Sequence, residues 1–251
     1  MKKIVLSLAL SAALFSCKEK PAETSTEKKA SDTVSKPASN QPILREKVLT
    51  AAEQNALTPD AVITALKDGN QRFINNDLTL RDHSSMVRNA TEGQFPKAVI
   101  LSCLDSRIPV EDVFDRGIGD IFVARVAGNF SNTDILGSME FGCKVSGAKV
   151  ILVLGHESCG AVKGAIDNVQ LGNITPMLAN IKPAIGRVKD FKGEKSSKDE
   201  AYVEAVAKQN VLFTIENIKA KSPILKEMED KGQIKIIGGY YDLHTGKVEF
   251  L

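Results

Sequence analysis

Residues 150–160 read Val-Ile-Leu-Val-Leu-Gly-His-Glu-Ser-Cys-Gly, so that five large apolar residues run into a histidine and a cysteine. An apolar run of this length without alternation is typical of a parallel strand that is covered on both faces. The pattern after Gly160 is helical, which places the polar residues in a turn between a strand and a helix. This stretch predicts one unit of an α/β domain with chemically active side chains at the end of a strand.

The same kind of pattern extends in both directions along the chain. Three further β-rich runs are predicted as strands, at residues 98–102, 121–126 and 234–238. Helices are predicted from Pro59, at residues 133–145 and at residues 199–220, and a turn and a short last strand are predicted between residue 240 and the end. Strands that alternate with helices predict a single α/β domain whose central sheet is mostly parallel and is flanked by helices.

Composition and charge narrow the class of protein. The chain has 251 residues, of which 43% are hydrophobic and 25% are charged, as in ordinary soluble globular proteins. Its 33 basic and 31 acidic residues are interspersed and give a net charge of +2. Because no long basic stripe appears, we expect no nucleic-acid partner.

The N-terminus has the pattern of an export signal. Lys2 and Lys3 precede an apolar run at residues 4–15, which is too short to span a bilayer as a mature helix. The run ends at Ser16 and Cys17 and resembles the lipobox of bacterial lipoproteins. That resemblance implies a signal peptide at residues 1–16, lipidation of Cys17, and an exported protein whose contact with the membrane is made only through this lipid. The alternative is an ordinary secretory signal cut near Ser16.

The next segment predicts a linker. Residues 17–43 are rich in Lys, Glu, Ser, Thr, Pro and Ala and have few large apolar side chains. Such a segment buries too little surface to offset the entropy of ordering it. We therefore predict a disordered tether at residues 17–43 and a folded domain at residues 44–251, held at the cell envelope in a periplasmic or outer-membrane-facing position.

Metal-ligating side chains follow two of the predicted strands. Cys103 comes directly after the strand at 98–102, and His156 and Cys159 follow the strand that begins at Val150. Sites in parallel sheets form where strands end, and two thiolates with one imidazole suit zinc. Three protein ligands leave a fourth position open, which is typical of a catalytic zinc site. The alternatives are two core cysteines or a Cys103–Cys159 disulfide, whereas Cys143 lies in a predicted helix and is expected in the core.

These residues carry a resemblance to a known family. The segment Cys-Leu-Asp-Ser-Arg at 103–107, followed by His-Glu-Ser-Cys at 156–159, resembles the β-class carbonic anhydrases, and the likeness extends from about residue 58 to the C-terminus. It implies an enzyme with one zinc ion per subunit that interconverts carbon dioxide and bicarbonate through zinc-bound hydroxide. It also implies that Asp105 and Arg107 are catalytic, with Arg107 holding Asp105 off the metal and Asp105 serving as a fourth ligand when that hold is broken.

The resemblance also implies a substrate pocket and an assembly. Gln94, Phe122 and Phe141 fall at positions that bind substrate in plant-type members of the family, although those members have tyrosine where this chain has Phe141. In the family such residues act across a subunit interface, so the resemblance implies a homodimer or homotetramer.

Three other functions remain open at this point. Related enzymes hydrolyse carbon disulfide or carbonyl sulfide at the same kind of zinc site. A surface-tethered binding module would keep the zinc-stabilised fold without turnover, and a disulfide-bonded protein would hold no metal.

Overall fold

The computed structural model describes residues 47–251. The predicted signal peptide, Cys17 and the predicted tether lie outside the described residues. Within them the chain forms five strands: β1 (Ala98–Ser102), β2 (Ile121–Arg125), β3 (Val150–His156), β4 (Lys235–Tyr241) and β5 (Val248–Phe250). The α-helices in the same part of the chain are α1 (Ala51–Asn55), α2 (Pro59–Ile74), α3 (His83–Asn89), α4 (Val110–Val113), α5 (Thr133–Glu140), α6 (Gly160–Ile166), α7 (Ile174–Leu178), α8 (Lys182–Arg187), α9 (Glu200–Lys221) and α10 (Pro223–Asp230).

The strands form one mixed sheet in the order β2-β1-β3-β4-β5. The first four strands are parallel to their neighbours, and β5 pairs antiparallel with β4. Every residue of β1 and β3 is buried, whereas all of the edge strand β2 is half-buried. This confirms the predicted α/β class and the prediction that the strand with residues 150–154 is covered on both faces.

Two strands are longer than the sequence pattern predicts. Strand β3 continues through Gly155 and His156, which pair with Tyr240 and Tyr241 of β4. Strand β4 correspondingly ends at Tyr241 rather than at residue 238. The backbone hydrogen bonds between the parallel strands stabilise these residues, although their sequence is not typical of a strand. The additional pairs hold His156 in the sheet.

The helix predicted at residues 133–145 is regular only as far as Glu140. It continues as a π-helical turn, Phe141–Val145. A Cβ atom on Gly142 would come within 2.5 Å of the Val99 side chain, so this turn packs directly against β1. The turn buries Cys143, as the sequence predicts, and leaves Phe141 48% exposed.

Polar caps set the starts of two predicted helices. The Thr58 hydroxyl accepts a hydrogen bond from the backbone N–H of Ala61 at 3.2 Å and caps α2, with Pro59 as its first residue. The Asp199 carboxylate caps α9 in the same way. Within residues 47–251 no helix is both long enough and apolar enough to cross a membrane.

Candidate metal centre

Two neighbouring strands bring the predicted ligands to one edge of the sheet. Cys103 follows β1, His156 is the last residue of β3, and Cys159 immediately precedes α6. Because β1 and β3 are parallel and adjacent, their carboxyl ends lie side by side. His156 is 0% exposed, and both cysteines are also buried. The three side chains therefore meet in a site that largely excludes water.

The distances between the ligand atoms fit a tetrahedral zinc ion. One ligand atom from each of the three residues lies within 4.8 Å of the others, and the Sγ atoms of Cys103 and Cys159 are 3.8 Å apart. Zn–S bonds of about 2.3 Å at a tetrahedral angle separate two sulfurs by about 3.8 Å. A disulfide requires about 2.05 Å, and both thiols are free in this structure.

The imidazole of His156 is oriented for a metal. Its Nδ1 lies 2.8 Å from the carbonyl oxygen of Glu157 and donates to it. This assigns the lone pair to Nε2, which is buried and has no hydrogen-bond partner among the described residues. A metal ion accounts for an unpartnered nitrogen in this position, and a carbonyl behind a histidine ligand is a common way of fixing its tautomer.

The two thiols differ in their acidity. The contact between the sulfurs lowers the pKa of Cys103, with further contributions from His156 and from the Gly128 N–H, 3.2 Å from Sγ. The same contact, together with burial, raises the pKa of Cys159. Cys103 is therefore the more readily ionised of the two thiols, and Cys159 would lose its proton when a metal binds.

Asp105 and Arg107 form the bidentate pair that the sequence predicts. Arg107 donates from Nε to Oδ1 at 2.9 Å and from Nη2 to Oδ2 at 2.7 Å, and its backbone N–H also donates to Oδ1 at 2.9 Å. These bonds lower the pKa of the Asp105 carboxyl to about 2. Oδ2 lies 3.8 Å from the Nε2 atom of His156, so an ionised carboxylate borders the site while Arg107 holds it.

Arg125, for which no sequence motif predicts a role, shapes the loop that contains this pair. It donates from Nη1 to the carbonyl oxygens of Cys103 at 3.0 Å and Asp105 at 3.1 Å, and from Nη2 to the carbonyl oxygen of Ile108. This contact follows from the pairing of Arg125, at the end of β2, with Ser102, at the end of β1, and no local sequence pattern indicates that register.

The comparisons with known proteins agree with this geometry. A family model described as carbonic anhydrase matches residues 98–248. A carbonic anhydrase of Mycolicibacterium smegmatis is 34% identical over 198 residues, which cover 76% of this chain and 92% of that protein. The chain belongs to the carbonic anhydrase family.

Other relatives and solved structures extend the comparison. Carbonic anhydrase 2 of Mycobacterium tuberculosis is 33% identical over 75% of this chain and 91% of its own length. The structure of a Coccomyxa β-carbonic anhydrase in complex with acetazolamide matches with a TM-score of 0.60 at 23% identity, over 76% of this chain and 84% of that one. A tetrameric β-carbonic anhydrase of Sordaria macrospora matches with a TM-score of 0.57 at 23% identity, over 67% and 86%. The fold is that of the β-class, and the cofactor of this enzyme is zinc.

The three predicted pocket residues lie apart from the metal ligands of their own chain. Phe122 and Phe141, with ring centroids 6.3 Å apart, line an apolar cavity of about 680 Å³ that includes none of the three ligands. Gln94 is exposed and precedes β1, whereas Cys103 follows the other end of that strand. At about 3.3 Å per residue the two ends of β1 are about 13 Å apart. Within one chain these residues therefore lie towards the end of β1 opposite to the metal centre, with Phe122 paired to Val99.

Proposed function

We propose that this enzyme interconverts carbon dioxide and bicarbonate at one zinc ion per chain, held by Cys103, His156 and Cys159. The observation that carries the proposal is the buried, unpartnered Nε2 atom of His156 beside two thiols at zinc-site spacing. A zinc ion held by these three residues would supply a coordinated water with a pKa of about 7, which would suit hydration at neutral pH. The chain supplies three ligands, so a fourth position is open to the reactants.

Asp105 and Arg107 are the catalytic residues in this proposal. Arg107 keeps Asp105 ionised and restrains both of its carboxylate oxygens, which favours a position beside the metal rather than on it. In this arrangement Oδ2 accepts a hydrogen bond from the reacting water. If the pair with Arg107 were broken, Asp105, whose Oδ2 lies 3.8 Å from Nε2 of His156, would be near enough to serve as a fourth ligand and would then stop turnover.

The dyad predicts a large loss of activity in Asp105→Asn. An amide presents an N–H₂ donor in place of one acceptor oxygen and cannot form the charged pair with Arg107, so kcat is expected to fall by about 10²–10³-fold. The zinc content should stay at one per chain. Stopped-flow hydration and elemental analysis measure the two quantities. The matched control is Asp230→Asn, which removes an exposed carboxylate paired with Lys226 and is expected to leave kcat unchanged. A kcat of Asp105→Asn equal to that of wild type would contradict the assigned role.

Stopped-flow assays on three gases separate this function from its nearest alternative. The purified zinc enzyme is expected to hydrate carbon dioxide rapidly and to hydrolyse carbonyl sulfide and carbon disulfide much more slowly. The reverse order of rates would assign the chain to the sulfur-substrate hydrolases. Absence of turnover on all three gases by zinc-loaded protein would favour the non-catalytic binding module.

The substrate-binding role of Gln94, Phe122 and Phe141 rests on a second copy of the chain. Their separation from the ligands within one chain supports a homodimer or a homotetramer in which each chain completes its neighbour's site. The exposed ring of Phe141 and the 71% exposed Val145 on the same π-helical turn give that face the apolar character of an interface.

Subunit complementation tests this arrangement. Gln94→Ala retains its own ligands, and Cys159→Ser retains Gln94. Mixing the two variants under conditions of subunit exchange is expected to restore activity, because the heterodimer contains one complete site. Failure to restore activity, with exchange demonstrated by mass, would show that Gln94 serves its own chain or serves no site.

The N-terminal segment supports an exported, lipid-anchored enzyme at the bacterial cell envelope. Lys2 and Lys3, the apolar run at 4–15 and Cys17 are the basis for this proposal. Mass spectrometry of the N-terminal peptide from membranes should find an acylated Cys17, and Cys17→Ala should leave the membrane fraction. A mature N-terminus without lipid would favour the ordinary secretory signal.

A further inference from the structure

The turn that follows β2 donates a hydrogen bond to one of the metal-ligating sulfurs. The backbone N–H of Gly128 donates to Sγ of Cys103 at 3.2 Å. The N–H of Asn129 donates to the carbonyl oxygen of Val126 at 2.9 Å, which closes a turn with Gly128 at its third position. Gly128 has a φ of +87°, as the third position of a type II turn requires. The turn therefore directs at the thiol an N–H group that its own hydrogen bond does not use.

One buried side chain holds the other side of this glycine. The Nδ2 atom of Asn210, in α9, donates to the carbonyl oxygen of Gly128 at 2.8 Å across 82 positions of sequence. Asn210 is 0% exposed. The N–H and C=O groups of Gly128 belong to successive peptide groups, so the bonds to Cys103 and Asn210 together fix the orientation of both peptides.

The surroundings of Asn210 are otherwise mostly apolar. It lies on the buried face of α9 beside Val211. A Cβ atom on Gly155, the residue before His156, would come within 2.7 Å of the Val211 side chain, so this face packs directly against β3. The Oδ1 atom of Asn210 has no hydrogen-bond partner among residues 47–251. A buried amide with one unpaired atom costs free energy that a leucine of similar size would avoid, so its contribution is the bond to Gly128.

We propose that Asn210 is a positioning residue for the metal centre, which acts on Cys103 through the backbone of Gly128. By holding the carbonyl of Gly128, Asn210 keeps the N–H of the same residue directed at Sγ. An N–H group that donates to a thiolate draws charge from the sulfur and restrains its position, and outer-shell partners of this kind contribute to metal affinity. The inference rests on the proposed role of Cys103 as a zinc ligand.

NMR spectroscopy of the enzyme loaded with cadmium-113 in place of zinc tests the hydrogen bond to the ligand. An amide that donates to a metal-bound sulfur transmits a scalar coupling between its proton and the metal nucleus. Wild type is expected to bind one cadmium ion per chain and to show this coupling at the amide proton of Gly128. Bound cadmium without the coupling overturns the inference and leaves the ligands in place, whereas a chain that binds no cadmium contradicts the ligand set and the inference with it.

Two variants test the part played by Asn210. Asn210→Leu and Asn210→Ala both remove the donor, the first with the volume retained and the second without it. Each is expected to weaken the coupling at Gly128 and to lower the affinity for zinc by about tenfold, the lower end of the range for outer-shell partners.

The matched control is Thr214→Val. Thr214 lies about one turn further along the same buried face of α9 and is 1% exposed, and its hydroxyl has no hydrogen-bond partner within residues 47–251. This variant should therefore keep both the coupling and the zinc affinity of wild type.

A residue that supports only the fold would change stability without changing the coupling or the affinity. The proposal is overturned if a folded Asn210 variant keeps both at wild-type values, or if Thr214→Val loses them to the same extent. It is equally overturned if neither Asn210 variant folds while Thr214→Val does, because Asn210 then serves the fold as a whole.

Discussion

Cys159→Ser is expected to abolish zinc binding at the catalytic site and, with it, carbon dioxide hydration. A serine hydroxyl stays protonated at neutral pH, so it cannot replace a thiolate that the metal requires in its deprotonated form. Replacement of an outer-shell partner alone costs about 10–100-fold in metal affinity, and loss of a ligand is expected to cost more. Metal catalysis typically lowers the activation free energy by several kcal/mol, and each 1.36 kcal/mol corresponds to about a factor of ten in rate. We therefore expect kcat/KM to fall by about 10³-fold or more.

Zinc content by elemental analysis and hydration by stopped flow measure the two losses. The matched control is Cys143→Ala, because Cys143 is also a buried free thiol but lies in the core, where burial raises its pKa to about 12. That variant should keep one zinc per chain and most of its activity. Retention of zinc and activity by Cys159→Ser, or loss of both by Cys143→Ala with the fold intact, would contradict the assigned ligands.

Asp115→Asn is expected to destabilise the fold by about 3–5 kcal/mol, the usual cost of removing one partner of a buried ion pair. The Asp115 side chain is 0% exposed and accepts a hydrogen bond from Arg72 Nε at 2.6 Å and another from Arg81 Nη2. It also accepts from the backbone N–H of Thr79 at 3.0 Å. An amide at this position leaves the guanidinium groups of Arg72 and Arg81 without a buried negative charge. Its N–H₂ group also faces one of these two guanidinium groups, donor against donor.

Urea denaturation of the zinc-loaded enzyme measures this loss. Asp112→Asn is the matched control, because Asp112 pairs with the same Arg81 at 3.6 Å but is 52% exposed. A pair of this kind is expected to contribute less than about 1 kcal/mol. Equal losses in the two variants would show that burial does not decide the strength of these pairs.

The destabilisation by Asp115→Asn should depend on pH. Burial alone would raise the pKa of Asp115, but hydrogen bonds from Thr79 and Arg72 outweigh it and lower the pKa. A lowered carboxyl pKa stabilises the fold above the unfolded value of about 3.9, and that contribution disappears as the pH falls through the folded value. The difference in stability between wild type and variant should therefore be complete at neutral pH and shrink below about pH 4.

The sequence predicts those parts of the fold and site that depend on local pattern. The strand at residues 98–102 matches β1 in both bounds, because its residues are continuously apolar and buried. The three ligands were predicted because each follows a recognisable strand, and they meet as expected. Asp105 and Arg107, two residues apart, also form their predicted pair.

Features that depend on packing between distant segments were not predictable in the same way. The role of Arg125 follows from the register of β2 against β1, and the extension of β3 follows from its pairing with β4. The contact between Glu157 and His244 joins residues 87 positions apart. In each case the residues adjacent in sequence do not indicate the distant partner. A local periodicity therefore cannot predict the contact.

Titration of metal-free enzyme with Zn²⁺, followed by stopped-flow hydration of carbon dioxide, tests the central claim most directly. The account predicts no hydration without metal, a linear rise, and a break at one equivalent per chain, because one site alone holds the catalytic ion. Further Zn²⁺ should add no activity, since the three catalytic ligands are then fully occupied. Hydration by the metal-free chain, or a rise that continues to two equivalents, would contradict the account.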